Sequence, residues 1–251
     1  SRIREYQTTT VTPLLPTHVT RLQLTHIQID NYGPWTVEPE PRREMDLQTL
    51  QSRLFADLAQ FVGSRDGYVF FTRFDNMVAV TNGLGRELGT AVDSVPVEAL
   101  EGATEQVQAA GSAQDESRTE ALAGEYRQPE ADDVAIAHFD VNDATGKYTD
   151  RLNEFDSFIR IEQSYASLMQ YMREEHGALS FFVGGDNIIA AVPEMTESEY
   201  EAAIDHVSDD VGVELKVGVG HGPTPADAGI DAKHALEDCR YEGTRVEFAD
   251  H

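Results

Sequence analysis

Cysteine is almost missing from this chain: Cys239 is the only one in 251 residues. That excludes an intrachain disulfide and a Cys-rich zinc site. Lysine is nearly as scarce, with Lys147, Lys216 and Lys233 set against 16 arginines. The eight histidines are scattered and never fall in a His-x-x-x-His pattern, which argues against a zinc hydrolase. No apolar run approaches the ~18–20 residues of a membrane span, and no signal peptide is visible. Positive charge is short overall, for a formal net charge of −26. Nonspecific binding to nucleic acid or to an anionic membrane surface is therefore disfavoured, and the expected partners include neither.

What is present is acid and core. Hydrophobic residues make up 40% of the chain, enough to exclude a disordered acidic tail. Abundant Asp and Glu with little Lys reads as a cytoplasmic protein from a high-salt organism. At 1 M salt the Debye length shrinks to ~3 Å, so self-repulsion is screened. The length allows one large domain or two ordinary ones.

A repeat favours two. The segment from Thr25 to Gly33 reads THIQIDNYG, and that from Ala135 to Gly146 reads AIAHFDVNDATG. Each has a strand-like alternation ending in Asp, then an amphipathic stretch, then an aromatic run with a second Asp. The second Asp stands in FFTRFDNMVAV (Phe70–Val80) and in FFVGGDNIIAA (Phe181–Ala191). Matching Asp30 with Asp140 and Asp75 with Asp186 gives nearly equal offsets. Each half then approximates a split βαβ, ferredoxin-like α+β unit.

The boundaries follow. Residues 1–24 read as an N-terminal extension, 25–111 as a first domain, 112–133 as a linker and 134–251 as a second domain. After Asp30 three prolines and a glycine predict an irregular loop to Arg42. Leu47, Leu50, Leu54, Leu58 and Phe61 step as the inward face of a helix. In the second half Phe158, Ile161, Tyr165, Leu168 and Met172 do the same. Thr196 and Glu199 form a capping box. Val213–Val219 alternates as a strand, and Pro225 opens a last helix with Ala228, Ala232, Ala235 and Cys239 inward. The first half is shorter: Gly83–Val95 stands where the second has a helix and a core strand. Losing both would expose a sheet edge.

The repeated carboxylates are the candidate site. Mg²⁺ takes hard oxygen ligands and is usually held by one or two carboxylates plus substrate phosphates. Asp30 with Asp75, and Asp140 with Asp186, are expected to serve as catalytic metal ligands. Gly184 and Gly185 would let backbone N–H groups approach a phosphate. The competing reading is turn chemistry, since Asp-Asn at a hairpin tip and a strand-end Asp are common there. Two copies at matched spacing favour the site. Trp35 either stacks on a purine or anchors packing, and Arg73 either clamps phosphate or pairs with Asp75.

The segments QIDNYGPWTV (Gln28–Val37), PRRE (Pro41–Glu44), LQSRL (Leu50–Leu54), FTRFDN (Phe71–Asn76), GSAQD (Gly111–Asp115), FVGGDN (Phe182–Asn187) and VGVGHG (Val217–Gly222) resemble the archaeal GTP cyclohydrolase III family. The resemblance runs from about Thr25 to the C-terminus and points to a haloarchaeal-like member. It implies tandem palm-like domains akin to nucleotide cyclases and GGDEF cyclases. It also implies Mg²⁺-dependent opening of the imidazole ring of GTP, with the formyl group kept and inorganic phosphate released, and activation by a monovalent cation such as K⁺. By position the four Asp residues match the acidic pairs. Asn31, Arg73, Asn76, Gly184, Gly185 and Asn187 stand beside them as candidate nucleotide-binding groups. A homo-oligomer is expected. Two other functions remain open: a nucleotide cyclase releasing pyrophosphate, or a non-catalytic GTP-binding regulatory module.

Overall fold

A computed structural model describes residues 22–81, 91–93, 95–115, 133–142, 146 and 151–249. Residues 1–21 of the expected N-terminal extension and 116–132 of the expected linker lie outside the described residues. The elements in order are β1 (Leu22–Gln28), α1 (Tyr32–Val37), α2 (Glu44–Gly63), β2 (Tyr68–Phe71), β3 (Asn76–Thr81), β4 (Ala91–Asp93) and α3 (Pro96–Ala109). There follow β5 (Val134–Val141), α4 (Glu154–His176), β6 (Leu179–Gly184), β7 (Asn187–Val192), α5 (Glu197–Val211), β8 (Leu215–Gly222), α6 (Pro225–Glu242) and β9 (Val246–Phe248).

The fold is α+β, with two sheet-and-helix units in tandem. One sheet has the order β2-β3-β1-β4 and the other β6-β7-β5-β8-β9. In each, the first strand of the half lies between the third and the fourth, as in a ferredoxin-like unit. Here the first half corrects an expectation. The strand thought missing is present as β4, three residues long, antiparallel to β1 through Leu22↔Asp93 and Leu24↔Ala91. The expected loss of a counterpart to helix α5 falls on residues 82–90, which lie outside the described residues.

The two sheets pack face to face. Period-2 alternation sends Leu22, Leu24, Phe70, Val78 and Val80 into one cluster with Val134, Ile136, Phe181, Ile189 and Ala191 of the other half. At its centre the Phe70 and Phe181 rings stack with centroids 4.3 Å apart and planes 4° apart. The helix entries cross over reciprocally: Val97 N–H donates to Gly177 O at 2.9 Å, and Ala226 N–H to Asp66 O at 3.0 Å. The outer face of the second sheet carries its own core, closed by α4 and α5.

Helix α6 lies unusually close on β8, and the VGVGHG segment explains it. A Cβ on Gly218 would stand 2.2 Å from Ala232 O, and one on Gly220 2.2 Å from Ala228 O. The facing helix contributes the buried Ala228, Ala232, Ala235 and Cys239, as expected. The capping box at Thr196 is present too, with Glu199 accepting from the Thr196 N–H at 2.7 Å.

Two helix faces are turned relative to expectation. In α2 the buried positions are Leu47, Gln51 and Val62, whereas Leu54 and Phe61 are exposed. The polar Gln51 is drawn inward because its amide donates to the Tyr32 hydroxyl at 2.6 Å. In α4 Leu168 and Met172 are buried with Ser157, Ser164 and Ser167, and Phe158 faces out. Small serines let the helix sit close to its neighbours. The loop expected after Asp30 contains the helix α1, entered through Asn31 in the left-handed region at φ 52°. Pro34 is tolerated because it falls in the first turn, where its missing N–H has no intrahelical partner anyway.

Candidate functional site

The strand registers set the site. Gln28 pairs with Asn76 across β1 and β3, and Asp140 pairs with Asn187 across β5 and β7. The hairpin residues Asn76 and Asn187 are equivalent, so Gln28 occupies the place of Asp140 and His26 that of His138. The expected match of Asp30 with Asp140 is therefore shifted. Asp30 lies beyond the strand end, at the place of Asn142. The second carboxylates keep their match, since Asp75 and Asp186 each immediately precede the hairpin Asn.

The shared motif is consequently a histidine clamped to the hairpin asparagine. His26 Nε2 lies 2.7 Å from Asn76 Oδ1, and His138 Nε2 lies 2.8 Å from Asn187 Oδ1. An amide oxygen only accepts, so each imidazole holds its proton at Nε2. His26 Nδ1 is then an acceptor for the Thr104 hydroxyl at 3.3 Å. In the first half the Gln28 amide also donates to Asn76 Oδ1 at 3.2 Å. Sequence reading missed both histidines, though aligning the repeat on His-x-Gln and His-x-Asp rather than on the carboxylates would have found them.

In the second half, Asp140 is almost fully buried, and its Oδ2 accepts from Arg240 Nη2 at 2.6 Å. Its Oδ1 is buried with no hydrogen-bond partner among the described residues. Burial pushes the Asp140 carboxyl above the usual carboxylate range; the Arg240 hydrogen bond opposes this, and the charge of Asp186 adds to it. Burial also lowers the His138 imidazole, against the pull of its Asn187 hydrogen bond. Asp186 stands at the hairpin tip after Gly184 and Gly185, which take φ of 104° and 65°, a region that favours glycine. The amide of Asn187 donates to Asp186 Oδ1 at 3.2 Å and to Gly184 O at 3.4 Å.

These residues fit a divalent cation. A buried, unpartnered carboxylate oxygen with a second carboxylate in electrostatic range is the donor set Mg²⁺ takes when phosphates complete its shell. Among the described residues no group of three or more His, Cys, Asp or Glu is placed to hold a metal ion.

In the first half the tip runs from Thr72 to Asp75. Arg73 Nη2 holds Asp75 Oδ2 at 3.0 Å, and the Asp75 carbonyl accepts the Ile29 N–H at 3.0 Å. The Asp30 backbone thereby lies beside Asp75. Asn31 N–H donates to Ala113 O at 2.7 Å, and Gln114 lies against Gly33. The QIDNYGPW and GSAQD segments thus meet in space. Trp35 is partly exposed, and its ring carries the Arg42 guanidinium 4.0 Å from the centroid; it does not anchor the core.

Beside this tip a groove of about 690 Å³ opens between the halves. Arg73, Glu101, Glu105 and Gln108 line it from the first half, and Tyr165 and Arg173 from the second. Arg173 Nη2 meets Glu101 Oε1 at 3.4 Å across it. The volume lies within the range of small-molecule sites, about 300–1,000 Å³. No helix among the described residues is long and apolar enough to cross a membrane.

The chain is 62% identical over 252 residues to a protein of Natronomonas pharaonis named GTP cyclohydrolase III, covering 92% of this chain and 100% of that one. It is 55% identical to GTP cyclohydrolase III 1 of Halobacterium salinarum, covering 91% and 98%. To the GTP cyclohydrolase III of Methanocaldococcus jannaschii it is 40% identical, covering 87% and 88%. Among solved structures, the GGDEF domain of DgcB from Caulobacter crescentus aligns at a TM-score of 0.41 and 16% identity, over 47% of this chain and 79% of that one. The family model for GTP cyclohydrolase III matches residues 24–88 and 86–249. On these matches, the chain belongs to the GTP cyclohydrolase III family of enzymes.

Proposed function

We propose that this chain hydrolyses GTP, opening its imidazole ring to a formylaminopyrimidine ribonucleotide monophosphate with release of inorganic phosphate. The observation that carries the reading is the 62% identity, over 92% of this chain and 100% of the relative, to a protein named GTP cyclohydrolase III. One water adds to C8 of guanine, the C8–N9 bond breaks, N9 takes a proton, and the formyl group stays on N7. One further water is consumed for each phosphate released.

The groove between the halves suits the nucleotide. Guanine presents N1–H and N2–H donors, which the carboxylates of Glu101 and Glu105 and the Gln108 carbonyl can accept. Arg73 stands at the hairpin tip next to Asp75 and can turn its planar fork to a phosphate. Asn31, Asn76, Asn187 and the Gly184–Gly185 backbone are the further phosphate or base contacts in this reading. Thr104 and His26, joined on the groove side, can relay a proton between Thr104 Oγ1 and His26 Nδ1.

Asp140 with Asp186, and Asp30 with Asp75, are the groups that would hold Mg²⁺. Bound there, Mg²⁺ supplies positive charge to the triphosphate and makes water more acidic. A monovalent cation such as K⁺ belongs to the proposal as an activator. So does a homo-oligomer, for which Phe155, Phe158 and Ile159, exposed together at the start of α4, offer an apolar face.

The test is incubation with GTP and Mg²⁺ in molar KCl while assaying phosphate and pyrophosphate separately. Phosphate with an ultraviolet shift toward a pyrimidine is expected. Pyrophosphate release would indicate cyclase chemistry instead, and tight GTP binding without turnover a regulatory module.

A further inference from the structure

We propose that Arg240 is the positioning residue for the divalent-cation centre: it holds Asp140 Oδ2 so that Oδ1 is presented to the metal. The inference rests on the reading of Asp140 as a metal ligand, and goes on to say what orients that ligand.

Arg240 lies in the last turn of α6 and reaches across to β5. Its two terminal nitrogens are divided, with Nη2 on Asp140 Oδ2 at 2.6 Å and Nη1 on Glu237 Oε1 at 2.8 Å. Glu237 also meets Lys233 Nζ at 3.1 Å, one turn earlier on the same helix. The guanidinium is therefore fixed at both ends. The fork leaves Asp140 Oδ1 untouched, buried and unpartnered among the described residues. A counter-ion that merely neutralised the carboxylate would be expected to engage both oxygens side-on, as Arg–carboxylate pairs often do. A single contact on one oxygen, with the other buried and unpartnered among the described residues, is the arrangement of a group that orients a ligand for something else.

The first half supports the assignment by contrast. There Gln28, an uncharged amide, stands at the place of Asp140 and bonds directly to Asn76. Helix α3, the counterpart of α6, ends at Ala109 and offers no arginine at the equivalent place. The carboxylate and its arginine are both confined to the second half.

Partners that orient a metal ligand typically contribute 10–100-fold to metal affinity. The experiment is titration of the full-length protein with Mn²⁺ alone, read by electron paramagnetic resonance, for wild type, Arg240→Gln, Arg240→Lys and Asp140→Asn. Melting curves of each protein in metal-free buffer confirm folding. Arg240→Gln is expected to weaken Mn²⁺ binding about tenfold or more, with Arg240→Lys recovering part of the loss. An unchanged or tighter Mn²⁺ affinity in a folded Arg240→Gln would overturn the positioning role, and tighter binding would make Arg240 a competing counter-ion. If Asp140→Asn binds Mn²⁺ like wild type, it is the assignment of Asp140 as ligand that fails.

Discussion

Replacing Gly220 with alanine tests how the second-half centre is held. The new methyl carbon would stand 2.2 Å from Ala228 O and 2.3 Å from Ala232 N, where ordinary contact begins at 3.4 Å. Both obstacles are backbone of α6, so no side chain can swing aside. The helix must back away from β8 by roughly 1 Å, and overpacking of that kind costs about 1–3 kcal/mol. For a chain of this size the melting temperature should fall by roughly 2–4 °C per kcal/mol, hence up to about 12 °C. The same displacement carries Lys233 and Arg240 away from β5, so the variant should also bind Mn²⁺ more weakly. Gly212→Ala is the control: it has φ +70° and nothing within 4 Å, and should cost only the left-handed backbone penalty of about 1–2 kcal/mol. Thermal unfolding by circular dichroism in molar KCl compares the two. A Gly220→Ala protein that melts no lower than Gly212→Ala, with wild-type Mn²⁺ affinity, would refute the close-packing argument.

Phe181→Ala removes one ring of the central stack and should cost about 3–5 kcal/mol; a denaturation midpoint within error of wild type would mean the halves are not joined there. Melting temperature should rise from dilute buffer to molar KCl, because salt screens the −26 charge; a steady fall contradicts this. The Asp140 carboxyl is raised by burial, so the folded state binds its proton more tightly than the unfolded chain does. It favours folding below the ordinary carboxylate range and costs stability as pH rises through its raised folded value. Without divalent metal at pH near 7, Asp140→Asn should therefore melt at or above wild type, and added Mg²⁺ should stabilise the wild type more than the variant. A variant that melts well below wild type in metal-free buffer would reverse that sign.

Much of the fold was legible because periodicity and punctuation agreed. Pro225 with its Ala stripe, the Thr196 capping box and the two aromatic hairpins lie where local rules put them. Helix α2 was read one face off because leucine spacing was weighed without Gln51, whose inward turn depends on Tyr32 across the fold. The strand β4 was invisible because three residues carry no period. The strand-end and hairpin carboxylates stand out in the sequence, but their correspondence across the repeat does not. Asp30 and Asp140 look equivalent by spacing, and only the pairing of Gln28 and Asp140 with the hairpin asparagines shows the shift. Arg240 could not be foreseen at all, since its bond to Asp140 spans 100 residues and nothing local marks it.

The central claim is a formyl-retaining ring opening, and mass spectrometry of the products made from GTP and Mg²⁺ in ¹⁸O-labelled water tests it most directly. A pyrimidine nucleotide monophosphate carrying one ¹⁸O in its formyl group, with labelled phosphate beside it, is the expected result. A cyclic nucleotide, loss of the C8 carbon as formate, or unchanged GTP from a folded sample would contradict it.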